Sequence, residues 1–473
     1  MILTGAALLL VILVIVGILG YRLLTLELAP RQPTATGDSK PSVVVILTDD
    51  QRWDTLWAMP AVKKDLIDHG VNFKNGFVVN SACCPSRASI LTGQYSHSTG
   101  VYTNTGSEGG YRSFNDASTI PTWLEMDYTS VLIGKYLNNY EFAGLNGRIP
   151  LGWDHWVAFP RGHYENYALN IDGEVVEFGT GAENYSTDVL ADQAVKFIEG
   201  TDGPLFMYFS PKAPHYPADP APRDRHAFSG LAPWRPPNYN EADVSDKPQW
   251  VQATDPLTPA EQHQIDGFRL DQLRTLLAVD RAVSRIVDAL QQTGRLSNTL
   301  IIYMSDNGMV WGEHRMHGKG VAYEESVRVP LVVRYDPLVK KPRTSEDLVA
   351  NIDVAPTAAD LAGVDAPGAE GMSLVPLLQN PNAPWRDDFL VEHFSRARWG
   401  HPPTYCAIRS TDYMYVDYLV GEDELYDVRQ DPYELNNRIS DPALSDELNR
   451  LKQRESVLCN PAPPKKLAWF ATH

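Results

Sequence analysis

The sequence predicts an α/β protein, a mostly parallel β-sheet sandwiched by helices, with a smaller C-terminal α+β subdomain. Three observations predict it. Short apolar, β-branched runs such as SVVVILT (residues 42–48) do not alternate with polar residues, the pattern of strands buried on both faces. Amphipathic helical stretches alternate with these runs, the order that builds a parallel sheet covered on two sides. Beyond about Gly371 the texture changes to paired strand-like runs separated by turns.

Residues 2–21 (ILTGAALLLVILVIVGILGY) carry no charge and are long enough to span a bilayer as a helix. They are long for a cleaved leader, and no small-x-small site follows, so residues 1–24 are expected to form a membrane anchor or signal segment. Residues 25–41 are polar and Pro/Thr-rich and read as a linker. The catalytic α/β domain is expected over 42–371 and the α+β subdomain over 372–473. After the first strand, AVKKDLIDHG (61–70) reads as a helix closed by Gly70. CCPSRASILTG (83–93) reads as a helix with Pro85 in its first turn, which sets Cys83 just before an N-terminus where N–H groups and dipole favour anions. YTSVLIG (128–134) and PLFMYFS (204–210) are buried strands. STDVLADQAVKFIEG (186–200) has helical spacing and a glycine end, and 258–294 is one long helical region. NTLIIYMSDNG (298–308) and VPLVVRY (329–335) are further strands. The Pro-rich stretch 214–239 reads as an ordered loop over the site. In the C-terminal part, 405–420 and 423–432 read as antiparallel strands and 443–458 as a helix.

The 473 residues are 43% hydrophobic and 21% charged, which fits a globular chain. With 41 basic and 59 acidic residues the formal charge is −18, so nonspecific binding to nucleic acid is excluded and an anionic substrate needs a local cationic pocket. There are four cysteines. Cys406 and Cys459 either pair in an oxidising compartment or remain two buried thiols. Asn184-Tyr185-Ser186 has the form of a glycosylation sequon. Ligands of parallel sheets bind beyond the carboxyl ends of the strands. Asp49-Asp50 and Asp306-Asn307 occupy two such ends, and hard carboxylate and amide oxygens suit Ca²⁺ or Mg²⁺ and serve zinc poorly.

The Cys83-Cys84-Pro85-Ser86-Arg87 segment with ASILTG resembles the type I sulfatase signature Cys-x-Pro-Ser-Arg-x-x-x-Leu-Thr-Gly. The resemblance runs from about residue 42 to about 460, through ILTDDQR, SDNG, GKYLNNY, PKAPHYP and HGKGVAYEESVRVP. It continues in NIDVAPTAADLAG and ELYDVRQDPYELNN. CCPSRASILTG, GKYLN and HAFSGLAPWRPPNYN are most similar to the N-acetylglucosamine-6-sulfatase and heparan endosulfatase branch. It implies an alkaline-phosphatase-like fold, a sulfated carbohydrate substrate, and one Ca²⁺ in preference to Mg²⁺. The metal ligands it implies are Asp49, Asp50, Asp306, Asn307 and the matured Cys83. It also implies that a formylglycine-generating enzyme oxidises Cys83 to Cα-formylglycine, with Cys84 filling the variable position. The hydrated aldehyde offers one oxygen to attack sulfur and a second whose deprotonation expels sulfate. Arg87, Lys135 and Lys319 are implied to offset the ester's charge, and His215 and Lys319 to stand by the bridging oxygen. Many sulfatases read Gly-Lys-x-His here; this chain has Leu137, with Asn138 adjacent.

Other polar residues have structural readings beside functional ones: His97, His314, His317, Glu392, His393, Arg161, His163 and Tyr164. Sulfated glycans lie outside the plasma membrane, so an extracytoplasmic enzyme, anchored or secreted, is expected. A phosphonate monoester hydrolase or phosphodiesterase of the same superfamily, and a non-catalytic membrane-anchored glycan-binding module, are the alternatives.

Overall fold

The computed structural model describes residues 40–140, 149–395, 402–418 and 421–464. The expected anchor, residues 1–24, and the linker up to residue 39 lie outside them. Among the described residues no helix is long and apolar enough to cross a membrane.

The central sheet has ten strands: β1 (Ser42–Thr48), β2 (Val71–Phe73), β3 (Thr129–Gly134), β4 (His155–Ala158), β5 (Tyr167–Ile171), β6 (Glu174–Phe178), β7 (Leu205–Ser210), β8 (Thr299–Ser305), β9 (Leu331–Arg334) and β10 (Arg343–Ser345). Their order is β10-β2-β9-β8-β1-β7-β3-β4-β5-β6. The middle five, β8-β1-β7-β3-β4, are parallel. β9 is antiparallel to β8, and β5 to β4, so the parallel set is bounded on both sides.

The non-alternating apolar runs are explained by two cores, one on each face. On one face Val43, Val45 and Leu47 pack with Ala88, Ile90 and Leu91 of the signature helix and Val354, Ala355 and Ala358 of a later one. On the other, Val44 and Ile46 pack with Leu190, Ala194 and Ile198 and with Leu276, Val279, Val283 and Ile286. Those last residues recur at helical spacing on two helices, Ser186–Gly200 and the long Pro259–Gln292. The long helix begins where the sequence stops it from beginning earlier: Thr258 and Glu261 form a reciprocal capping box and Pro259 takes the first helical position.

One expected helix end has a different cause. The helix over Pro60–Asp65 stops short and a 3-10 turn, Ile67–His69, follows. Gly70 is extended (φ −131°), not left-handed. A Cβ there would lie 2.3 Å from the Val333 carbonyl oxygen, so close backbone approach demands the glycine.

A second, antiparallel sheet of four strands, β11 (Asp388–His393), β12 (Tyr405–Ser410), β13 (Tyr413–Tyr418) and β14 (Glu424–Asp427), is paired in sequence order. The helix Ser445–Leu458 packs on it through Leu451. Cys406 and Cys459 form a disulfide tying β12 to the residue after that helix, which resolves the two readings of those cysteines.

Candidate active site

Four parallel strands deliver the predicted side chains. Asp49 and Asp50 follow β1, Asp306 and Asn307 follow β8, Lys135 follows β3, and His215 lies five residues beyond β7. Thr48 stands opposite Ser305, so the two acidic pairs leave adjacent strands at one level, and the Asp306 N–H donates to the Thr48 carbonyl at 3.0 Å. The Asp50 N–H in turn donates to Asp306 Oδ1 at 3.1 Å. Asp50 takes the left-handed conformation (φ 71°), which costs a non-glycine residue on the order of 1 kcal/mol or more and is typical of functional positions.

The signature helix runs over Cys83–Thr92 and ends at left-handed Gly93. Cys83 is its first helical residue, one position further in than the sequence suggests. Cys83 Sγ donates to Asp49 Oδ1 at 3.4 Å and receives Lys319 Nζ at 2.7 Å. Lys319 Nζ also donates to Asp50 Oδ1 and, at 3.3 Å, to Asn307 Oδ1. Lys135 Nζ donates to Asp49 Oδ2 at 2.6 Å. Arg87, fully buried one turn into the helix, donates through Nε to Asp306 Oδ2 and through Nη1 to Ser210 Oγ, both at 2.7 Å. Its Nη2 is buried with no hydrogen-bond partner. His215 Nε2 lies 3.7 Å from Asp50 Oδ2. Donor atoms of Asp49, Asp50, Cys83 and His215 all fall within 4.8 Å of one another.

Three carboxylates (Asp49, Asp50, Asp306) thus face three cations (Arg87, Lys135, Lys319). Burial pushes Asp306 up to about 6, helped by Asp49. Asp49 is held well below the usual carboxylate range: burial works against this, and Lys135, His215 and Arg87 outweigh it. Burial pushes the Cys83 thiol up to about 12 despite Lys135 and Lys319, so as a thiol it stays protonated. Lys319 is raised well above its ordinary value by Asp50 and Cys83 against burial, and burial lowers His215 despite Asp49 and Asp50. The clustered carboxylates of Asp49 and Asp50 are hard oxygen donors that suit a divalent cation. Asp306 stands outside that cluster with its oxygens on the Asp50 N–H and Arg87 Nε, and Asn307 donates through Nδ2 to Asp50 Oδ1 at 2.7 Å.

Sequence reasoning missed three contributors. Gln272, in mid-helix, donates to the Asp50 and Pro214 carbonyls at 3.3 and 3.1 Å. Ser210 anchors Arg87. Lys212 sits 3.3 Å from His215 Nδ1. The first carries no local signal, because its helix contacts the site only through tertiary packing; the other two stand within seven residues of the PKAPHYP histidine.

The secondary candidates divide. Tyr164 is buried and its hydroxyl donates to the His215 carbonyl at 2.6 Å, so it positions that histidine. His314 is fully buried 2.6 Å from Glu241, and His317 is exposed, edge-on to Phe268. His393 lies against Gly320, next to Lys319: a Cβ on Gly320 would be 3.4 Å from its ring. Arg161 and His163 line an open cavity beside β5 and β6. Leu137 is buried in the core, and Asn138 has a buried Oδ1 without a hydrogen-bond partner.

His97 takes the structural role. Its Nδ1 is 3.2 Å from both oxygens of fully buried Glu392, and Nε2 is 3.7 Å from Glu370. Burial alone would lower its pKa, but hydrogen bonds to Glu370 and Glu392 raise it to about 9. The folded value exceeds the unfolded one of about 6.5, so this stability is complete below about pH 6.5 and is lost as pH rises through the folded value. His97→Gln is therefore expected to cost about 2 kcal/mol in urea unfolding near pH 6 and much less near pH 10. An equal cost at both would show that the charge plays no part.

The Sulfatase family model matches residues 41–364, and the model "N-sulphoglucosamine sulphohydrolase, C-terminal" matches 312–459. N-acetylglucosamine-6-sulfatase of Homo sapiens is 38% identical over 394 residues, 78% of this chain and 70% of that protein. That of Capra hircus is 34% identical over 471 residues, 88% of this chain and 83% of that protein. A solved structure described as a complex with its substrate D-glucosamine-2-N,6-O-disulfate superposes with a TM-score of 0.76 at 26% identity, covering 89% of this chain and 98% of that one. With a family model spanning well over half its length and relatives this similar across most of theirs, the chain belongs to the sulfatase family.

Proposed function

We propose that this chain hydrolyses the sulfate ester of a sulfated glucosamine or related glycan, with Cys83 matured to Cα-formylglycine and one Ca²⁺ held by Asp49, Asp50, Asp306 and Asn307 beside residue 83. The observation that carries it is the convergence of residue 83, three buried carboxylates and three cations at the carboxyl ends of adjacent parallel strands. The names of the N-acetylglucosamine-6-sulfatase relatives support the sugar. When present, the ion neutralises sulfate charge and the hydrated aldehyde supplies the attacking oxygen and a second hydroxyl for sulfate expulsion.

The chain's own side chains do the rest. Arg87 Nη2, buried without a hydrogen bond and 3.9 Å from Asp49 Oδ2, is a donor for a sulfate oxygen. Lys135, 2.6 Å from Asp49, adds a second cation. Lys319, kept charged by Asp50 and Cys83, is the proton donor to the leaving alcohol, and His215 Nε2, facing the other oxygen of Asp50, shares that task when protonated. Tyr164 and Gln272 hold the His215 loop in place.

We also infer that the catalytic unit works in an oxidising, extracytoplasmic compartment, tethered by residues 2–21 or released, after encounter with a formylglycine-generating enzyme. The Cys406–Cys459 disulfide and the uncharged N-terminal stretch support this.

The test is a desulfation screen of defined sulfated mono- and oligosaccharides with matured protein, run beside aryl phosphonate and phosphodiester esters. Sulfate release is expected to be fastest from 6-sulfated glucosamine. Faster turnover of the phosphorus esters would sink the proposal. In parallel the Cys83 peptide is expected to weigh about 18 Da less than its thiol form, the difference between SH plus H and a carbonyl oxygen.

A further inference from the structure

Lys212 is a cation at this site without a carboxylate. Arg87, Lys135 and Lys319 each pair with an aspartate. Among the described residues no carboxylate lies within ion-pairing distance of Lys212, and its one polar neighbour is His215 Nδ1 at 3.3 Å. That nitrogen lies 2.8 Å from the Tyr216 carbonyl, an obligate acceptor. The Nδ1 proton therefore goes to Tyr216, and Nδ1 has no lone pair left for the lysine. The ammonium is nonetheless held in place. It lies 5.8 Å from the centroid of the Tyr164 ring, and its stem runs past Gly162, where a Cβ would stand 3.5 Å from Lys212 Cδ. A part-buried ammonium with no directly paired carboxylate, its pKa lowered by burial against the longer-range pull of Asp49 and Asp50, is a cost that folding alone does not repay, in a chain with 59 acidic residues to choose from.

Its place indicates what it is for. His215 turns Nε2 toward Asp50 and Nδ1 toward Lys212, so the lysine meets the opposite edge of the imidazole from Asp50, outside ion-pairing distance of Asp49 and Asp50 but still within their field. An anion on Lys212 is therefore not the ester being cleaved but a second one. We propose that Lys212 is a specificity residue that binds a second anionic group of the substrate, an N-sulfate on the same sugar or a carboxylate on the sugar next to it. This rests on the sulfated-sugar reading above.

The experiment measures binding separately from turnover. Cys83→Ala protein is titrated calorimetrically with N-acetylglucosamine 6-sulfate, with glucosamine 2-N,6-O-disulfate, and with a disaccharide joining N-acetylglucosamine 6-sulfate to a uronic acid. The same titrations follow on Cys83→Ala carrying Lys212→Gln or Lys212→Arg, with thermal melts confirming the fold. At least one doubly anionic sugar is expected to bind roughly tenfold to a hundredfold tighter than the first, the range for a charge-assisted hydrogen bond. Lys212→Gln is expected to bring that ratio to about one and Lys212→Arg to keep most of it. Which of the two sugars loses its advantage identifies the anion as sulfamate or carboxylate. The proposal is overturned if Gln leaves the ratio alone, if it weakens all three sugars equally, so that the lysine merely supports His215, or if none of the three binds. Turnover of the same sugars by matured wild-type protein is scored independently. A binding ratio that depends on Lys212 without sulfate release would overturn the sulfatase reading and leave Lys212 standing.

Discussion

Cys83→Ala is expected to lower sulfate-ester turnover by roughly four to six powers of ten, the range seen when a covalent nucleophile is removed from otherwise intact machinery. The fold should survive, because Cys83 begins a helix, is 1% exposed and donates weakly, at 3.4 Å, to Asp49, while Lys319, which donates to its sulfur at 2.7 Å, keeps Asp50 and Asn307 as partners. Alanine suits that position, and the cavity left by one sulfur is small. Cys83→Ser separates the chemistry further. A serine oxygen attacks sulfur once but has no second hydroxyl through which to expel sulfate, so one turnover is expected, followed by a stalled enzyme about 80 Da heavier, the signature of an accumulating covalent intermediate. Steady turnover by the alanine variant would show that residue 83 is not the nucleophile. Steady turnover by the serine variant would show that no second hydroxyl is required.

The fold was legible because its strands are buried on both faces. Val43 to Leu47 alternate between two cores, and both sides must be apolar, which leaves an unmistakable run. The site was legible for a related reason: Asp49-Asp50 and Asp306-Asn307 stand directly after such runs, at chain positions the parallel topology forces together. Contributors that reach the site from elsewhere were not. Gln272 lies mid-helix between Asp271 and Leu273 with no motif around it, and only the packing of Pro259–Gln292 on the sheet turns it toward Asp50. Gly70 was read as a helix cap because glycine's usual reason at that place is a positive φ, whereas here it is the Val333 carbonyl, remote in sequence. Nothing next to Tyr164 in sequence marks it, since the contact that gives it a role is to a backbone oxygen of His215, 51 residues away.

Arg87→Met is expected to damage stability and activity by separable routes. In the native protein the guanidinium is fully buried, with Nε on Asp306 and Nη1 on Ser210 and the Lys135 carbonyl. Methionine fills similar space but leaves Asp306 without its cation, and breaking a buried pair on one side costs about 3–5 kcal/mol. The cost depends on pH. Burial and Asp49 already push Asp306 up to about 6, and Arg87 is first among the groups holding it down, so its removal raises the carboxyl further. An acid whose folded pKa exceeds its unfolded value binds more protons when folded, so stability falls as pH rises from the unfolded value of about 3.9 through the folded one. Urea unfolding in chelator should therefore show a small loss for Arg87→Met near pH 5 and the full loss near pH 8. Arg87→Met with Asp306→Asn should recover most of it, because no charge is then stranded. Activity should not recover. The donor at Nη2 is gone in both proteins, and one such donor to developing negative charge is worth about two to three powers of ten. A stability loss equal at both pH values and untouched by Asp306→Asn would mean that Arg87 contributes packing and not charge. Return of turnover in the double variant would remove Arg87 from the sulfate altogether.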